Sequence, residues 1–496
     1  MNPSTATLLS RARRLVDSGR FPEAIHAYSD LVGADPTCAD AWYELGWVLR
    51  RSGDPERALS AYGRALAAGI PAPEQTLLNR AVILSADLAQ PEAAEAELRH
   101  ALRQHPDYGP ALLNLGKLKE DSGDQRTAAE LYERLSRTAT HRELALEGLV
   151  RLVQIDLPRE AQAGRLARLR HCAESPEFPR ELRARAWFAL GRCAEAVGSF
   201  DTAFEAFSAG NRLAAASMPP YRPEALERHV DALIANTPPA DTAAGKDHAQ
   251  LFICGMFRSG STLLEQVLNA HPKVVAGGEL AFFPRMATGP LAPFVSGSEM
   301  PEEIANQTRR AYRSVLERLA QSSGKDTNNI HWLTDKRPDN ILLLGLLRRL
   351  FPAARIIITR RNPLDTGLSV FQQHLDLAQA PYSSSLEGIA HYIAQIERIT
   401  AHARSAWADS VYVFDYDAFV RSPEAELAPL LTWLGLEWEP ACLRFHEQRN
   451  LVATASHAQV RRPLYREASG RWKHYQAHLA PLSQRLEQLG LLVGEQ

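Results

Sequence analysis

Between Leu251 and Leu264 the chain reads LFICGMFRSGSTLL. An apolar run, Leu251–Cys254, breaks at Gly255 and passes through Met256-Phe257-Arg258-Ser259-Gly260-Ser261-Thr262. It then resumes with the helical spacing Leu263, Leu264, Val267, Leu268. That is the pattern of a strand, a tight loop and a helix. Glycine at both ends lets successive backbone N–H groups turn inward, and the helix that follows directs its positive end at the same point. The stretch therefore predicts an anion cradle, reinforced by the Arg258 guanidinium and the hydroxyls of Ser259, Ser261 and Thr262. The plain alternative is an ordinary strand-to-helix turn.

Set against the phosphate-loop pattern G-x-x-x-x-G-K-[ST], Gly255, Gly260 and Thr262 fit, but Ser261 stands where the lysine belongs. The cradle is kept, and the lysine that reaches β- and γ-phosphates is missing. A second anchor lies in RRNPLDTGLS, where an apolar run ends in Arg360 and Arg361, a helix starts at Pro363, and Ser369 follows. Open α/β sheets bind ligands at the C-terminal ends of their strands. A guanidinium there and a hydroxyl on the next helix can grip one phosphate together. The alternative is that Arg361 caps a surface loop and Ser369 merely sits on a helix.

These residues need elements to hold them. ARIIIT (354–359) and VYVFDY (411–416) read as buried parallel strands. Helices are expected at 301–320 and at 338–350, the latter following TDKRPDN. Strands alternating with helices predict an α/β domain with a central parallel sheet over residues 250–496. Before it, residues 216–249 hold MPPYRPEA, a short helix at 223–235 and TPPADTAAGKDHAQ, which mark a linker.

Residues 1–215 are all-α in pattern and repetitive. Trp42, Leu45, Gly46, Ala58, Tyr62 and Ala65 match the tetratricopeptide pattern. The small alanine recurs at Ala24, Ala58, Ala94 and Ala128, at intervals of 34, 36 and 34 residues, and Tyr28, Tyr62, Leu98 and Tyr132 follow it by four. Small residues let the helices of a hairpin approach, and the bulky residue one turn on fills the adjoining groove. A further copy, Trp187, Leu190, Gly191, Ala203 and Phe207, follows a degenerate stretch at 140–180. The expectation is an N-terminal tetratricopeptide solenoid, which either presents a groove to a peptide or braces its neighbour.

At 496 residues more than one domain is expected, and a net charge of −2 gives no global attraction to nucleic acid or anionic membrane. Cys38, Cys172, Cys193, Cys254 and Cys442 are scattered with no CxxC pair, which predicts a reducing compartment and no metal site. The first residues turn charged too early for a signal peptide, and no apolar run approaches the roughly 20 residues that span a bilayer. A cytoplasmic protein is the expectation.

Together, Arg258-Ser259-Gly260-Ser261-Thr262 resembles the 5′-phosphosulfate loop of sulfotransferases, and Arg361…Ser369 resembles their 3′-phosphate motif. LNAHPKVVAGGE, LTDKRPDN, VFDYDAFVRSPEAEL and ATASHAQVRRPLY…GRWKHY follow in order. The chain looks most like the tetratricopeptide-repeat sulfotransferases of bacteria, whose catalytic domain is similar to tyrosylprotein sulfotransferase. The resemblance implies a P-loop-like sulfotransferase domain and the donor 3′-phosphoadenosine 5′-phosphosulfate, without a metal. It implies Glu279 as general base, with Lys336 and Arg258 stabilising the transferring group. It places Arg258, Ser259, Gly260, Ser261, Thr262, Arg361, Ser369 and Tyr416 on the donor, joined by Ser456, Gln459, Arg461 and Lys473 from a late loop. The acceptor is a hydroxyl; a protein or peptide tyrosine held by the repeats, a glycan and a small metabolite are all open. Without the resemblance, Glu279 reads first as a helix cap or ion-pair partner and Lys336 as a solvated helix start. His271 and His331 rank below Glu279 as bases.

Two other readings compete. A P-loop kinase or NTPase would need the loop lysine that Ser261 replaces. A scaffold with a degenerate nucleotide domain would not need Arg258, Glu279, Lys336, Arg361 and Ser369 together.

Overall fold

The computed structural model describes residues 3–88, 90–138, 142–155, 164–238, 249–295, 297–447, 464 and 469–492. The chain divides into two compact units, Met1–Ser199 and Phe200–Gln496.

The first unit is helical, from Pro3–Asp17 to Arg180–Ala196, and its successive helices pack on one another. Its turns are written locally. Gly53 adopts φ +82°, Asp54 caps the next helix by accepting from Arg57 N–H, and Pro55 opens it. The repeating alanines Ala24, Ala58, Ala94 and Ala128 are fully buried, as are the bulky residues that follow them. The Cβ that Gly46 lacks would stand 3.0 Å from the Tyr62 ring, and that of Gly116 would stand 2.3 Å from Tyr132. The period thus reflects close helix approach. Where the interval lengthens to 36, the helix Pro73–Val82 runs on into a π-turn, Ile83–Asp87, which takes up part of the extra length.

The second unit is built on a five-stranded sheet in the order β2-β3-β1-β4-β5, with all pairings parallel. The strands are β1 (Ala249–Gly255), β2 (Val274–Val275), β3 (Trp332–Lys336), β4 (Arg355–Arg360) and β5 (Val411–Asp415). The expected layered α/β architecture is present, with β1 at the centre. Ile253 of β1 is in register with Lys336 of β3, and Gly255 with Thr359 of β4. The C-terminal ends of these three strands therefore open side by side.

Several expectations change in detail. Strand β3 was not anticipated from the pattern, because Thr334, Asp335 and Lys336 are polar yet buried. The helix expected at 338–350 is a 3₁₀ turn, Pro338–Leu343, followed by a short α-helix, Leu344–Leu350; the Asn340 amide is drawn back to Asp335 at 3.1 Å. Strand β5 stops at Asp415, whose carboxylate accepts from Ala418 N–H and starts a helix at Tyr416.

The second unit also begins earlier than the expected linker. Helix Phe200–Ala215 belongs to it: Asn211 donates to the Phe371 carbonyl at 2.9 Å, and Phe204 stacks on Phe371 and His478. Within 216–249, the helix Pro223–Ala235 forms as expected and is bonded into the same unit through Asp231–Arg398 (2.6 Å) and His229–Leu342 O (2.8 Å).

Candidate active site

The anion loop runs from β1 to the helix Ser261–Asn269. Gly255 (φ +138°) could not carry a side chain, since its Cβ would stand 2.6 Å from the Thr359 carbonyl. Arg258 is held at φ +68°, a left-handed conformation that costs a non-glycine residue on the order of 1 kcal/mol. Strain of this kind clusters at ligand-binding and active-site turns. Gly260 (φ +99°) occupies the N-cap position with no side chain to close it, so the helix starts open.

That open start is braced from its far end. Lys325 donates to the carbonyls of Asn269, His271 and Val274, covering the C-terminal end of the same helix. Burial lowers the Lys325 pKa to about 8. His271 lies just beyond this helix: its Nδ1 accepts from Lys273 N–H at 3.1 Å, and Nε2 lies 3.2 Å from the Glu437 carbonyl. Burial lowers its pKa. His331 is exposed.

The two anchors meet. Arg258 Nε donates to Ser369 Oγ at 3.0 Å, joining the loop to the helix Pro363–Phe371. Asn362 caps that helix, accepting from the N–H groups of Leu364 and Asp365. Arg361 Nη1 donates to the Arg258 carbonyl at 3.4 Å, and its guanidinium lies 4.9 Å from the centre of the Tyr416 ring. On Gly260's side a Cβ would stand 2.4 Å from Tyr416 Cδ2. Tyr416 is 8% exposed, so the ring braces both Gly260 and Arg361. Ser259 turns inward, donating to the Met256 carbonyl and lying 2.6 Å from the Thr359 hydroxyl; it ties the loop to β4. Ser261 and Thr262 occupy the first helical turn, both buried.

A second group lies across β1, at the end of β3. Lys336 is fully buried and donates to Glu279 Oε1 at 2.6 Å, while the Glu279 side chain stays 34% exposed. The pair fits a proton acceptor facing solvent above a fixed positive charge. Beside it, Asp335 accepts from Tyr312 and Asn340, and burial raises its pKa to about 7. Glu265, also buried, accepts from Gly278 N–H at 3.0 Å and from the Thr334 hydroxyl at 2.6 Å. Burial raises its pKa, opposed by the charge of Lys336 and by these bonds.

The structure therefore brings Arg258, Ser259, Gly260, Arg361, Ser369 and Tyr416 together, and pairs Glu279 with Lys336. Lys473 is exposed, its ammonium 5.9 Å from the Trp472 ring. Its neighbours are tied to the same helix by Asp365, which accepts from Gly470 N–H (2.6 Å) and Trp472 N–H (2.9 Å). Ser456, Gln459 and Arg461 lie outside the described residues. Sequence reasoning missed Glu265, Thr334, Asp335 and Asp365. The available signal for Glu265 was an acidic residue inside the apolar run Leu263–Leu268. Among the described residues no group of His, Cys, Asp or Glu is arranged to hold a metal ion, and no helix is long and apolar enough to cross a membrane.

Comparison with known proteins follows the same division. Residues 250–440 match the model of the sulfotransferase family, and residues 9–73 match that of the tetratricopeptide repeat. The chain is 27% identical over 429 residues to an uncharacterized protein of Aquifex aeolicus, covering 84% of this chain and 55% of that protein. It is 28% identical over 236 residues to protein-tyrosine sulfotransferase 1 of Danio rerio, covering 46% of this chain and 66% of the zebrafish protein. It thus spans 55% and 66% of the lengths of these relatives. Among solved structures, the sulfotransferase domain from the curacin biosynthetic pathway is similar at 17% identity and a TM-score of 0.37, covering 52% of this chain and 100% of that one.

Proposed function

We propose that this chain, which carries a sulfotransferase-family domain over residues 250–440 beside tetratricopeptide repeats, moves a sulfuryl group from 3′-phosphoadenosine 5′-phosphosulfate to a hydroxyl acceptor. The observation that carries the reading is the Arg258–Ser369 bond, which makes one site of two anion anchors, with the Glu279–Lys336 pair on the other neighbour of β1. The groups present fit such a donor. Arg258 and the open helix start suit one anionic group, Arg361 and Ser369 a second, and Ser261 leaves out the lysine a nucleoside triphosphate would use.

The bound donor supplies a sulfuryl group whose bond to the 5′-phosphate oxygen breaks as the acceptor oxygen bonds to sulfur, leaving adenosine 3′,5′-bisphosphate. Glu279 takes the acceptor's proton. Lys336 and Arg258 hold positive charge where negative charge gathers on the departing phosphate. Tyr416 holds the Arg361 guanidinium against its ring, where it would serve the donor's 3′-phosphate. Ser456, Gln459, Arg461 and Lys473 complete the donor contacts in this reading. A tyrosine of a protein or peptide is the favoured acceptor, supported by the similarity to the zebrafish protein-tyrosine sulfotransferase and by repeats of a kind that commonly bind peptides.

Thermal unfolding with adenosine 3′,5′-bisphosphate, compared with ATP–Mg²⁺, tests the donor. The bisphosphate at 100 times its Kd should stabilise the chain by about 2.7 kcal/mol. Stabilisation by ATP–Mg²⁺ alone would sink the reading, and silence with both would favour a scaffold.

A further inference from the structure

Glu279 is preceded by Gly277 and Gly278, which have no side chains by which their backbone can be held. The structure holds them by their N–H groups. Gly277 N–H donates to Thr334 Oγ at 3.2 Å, and Gly278 N–H donates to Glu265 Oε1 at 3.0 Å. The Thr334 hydroxyl donates to the same Glu265 oxygen at 2.6 Å. The Gly278 carbonyl in turn accepts from Lys336 N–H at 2.9 Å. A Cβ at Gly277 would stand 2.2 Å from the Thr334 carbonyl, so the segment is pressed against β3.

Glu265 itself sits in the apolar flank of the loop helix, 2% exposed, where a carboxylate is costly unless its bonds are made. Its bonds go to the backbone beside Glu279 and to the strand that carries Lys336. We infer that Glu265 is a positioning residue: it links the anion loop's helix to the Gly277–Glu279 segment and to β3, and so sets where the Glu279 carboxylate meets Lys336. This rests on the proposed role of Glu279. Misplacing a reacting group by about 1 Å costs on the order of 100-fold in rate.

The test uses the full chain with Glu265→Ala, Glu265→Gln and Thr334→Val. Turnover is measured with 3′-phosphoadenosine 5′-phosphosulfate and a tyrosine peptide, affinity with adenosine 3′,5′-bisphosphate by calorimetry, and backbone order by amide exchange of Gly277 and Gly278. Glu265→Ala should lower turnover on the order of 100-fold, leave bisphosphate affinity within about 3-fold, and release the protection of both amides. Glu265→Gln keeps an oxygen acceptor and should keep the protection and most of the turnover. Thr334→Val should release Gly277 alone, and it decides the matter if Glu265→Ala does not fold.

Unchanged amide protection in Glu265→Ala and Thr334→Val would overturn the inference, as would a glutamine variant as damaged as the alanine. So would parallel losses of turnover, affinity and unfolding temperature. Failure of the wild-type chain to bind the bisphosphate or to modify the peptide would instead count against the donor or acceptor, with amide exchange still deciding the role of Glu265.

Discussion

In the helical unit Gly116 lies against Tyr132 and Gly46 against Tyr62, and in the α/β unit Gly260 lies against Tyr416, yet the contacts serve different ends. In the repeats only space is at stake, and the pair recurs because every hairpin must close. At the anion loop the glycine also takes φ +99°, and its tyrosine carries the Arg361 guanidinium on the ring. Backbone conformation, packing and charge fall on one contact. The repeats spread similar packing contacts along the unit, whereas the α/β unit gathers the buried ionisable groups Glu265, Asp335 and Lys336 beside the candidate site.

The contrast is sharpened most by removing chemistry without touching packing. Glu279→Gln keeps shape and a partner for Lys336, so turnover should fall on the order of 1000-fold while bisphosphate affinity and unfolding temperature hold. Full transfer activity in this variant would remove Glu279 as the base. Next come the two glycines. Gly260→Ala meets both a forbidden φ and the Tyr416 ring, and should abolish measurable bisphosphate binding as well as cost about 3 kcal/mol. Gly116→Ala meets only the Tyr132 ring, so it should destabilise by about 2 kcal/mol and leave bisphosphate affinity unchanged. Equal effects of the two on ligand affinity would break the comparison.

A further effect concerns Asp335, whose carboxyl is pushed by burial up to about 7, well above the usual carboxylate range. The folded state binds the proton more tightly, so its contribution to stability is complete below about pH 4 and is lost as pH rises through 7. Asp335→Asn should remove this slope. Relative to wild type, the variant should gain stability in urea unfolding as the pH rises from 4 to 8. A constant difference between the two proteins across that range would contradict the assignment.

What could be read from the sequence follows the same divide. The repeats were legible because identical packing demands return at fixed intervals, and Gly255 and Gly260 because their positive φ restricts residue type. Strand β3 was not, since WLTDK lacks the apolar signature of a buried strand and its polar side chains find partners only in the folded unit. Glu265 was hidden for the same reason: its donors, Gly278 and Thr334, are distant in the chain. Helix Pro223–Ala235 was foreseen, but its attachment through Arg398 and Leu342 depends on residues more than a hundred positions away.

The ammonium of Lys325, resting on the carbonyls of Asn269, His271 and Val274, changes the electrostatic character of the helix Ser261–Asn269. An uncapped helix is a dipole, with about half a unit charge at each end and a field in which one end offsets the other. Here a full positive charge more than offsets the half unit at the negative end, and the positive end is left open at Gly260. Seen from the loop, the helix acts as a monopole, whose potential fades with distance rather than with its square. Above the Lys325 pKa of about 8 the ammonium loses its charge, the far end regains its own, and the helix becomes a dipole once more.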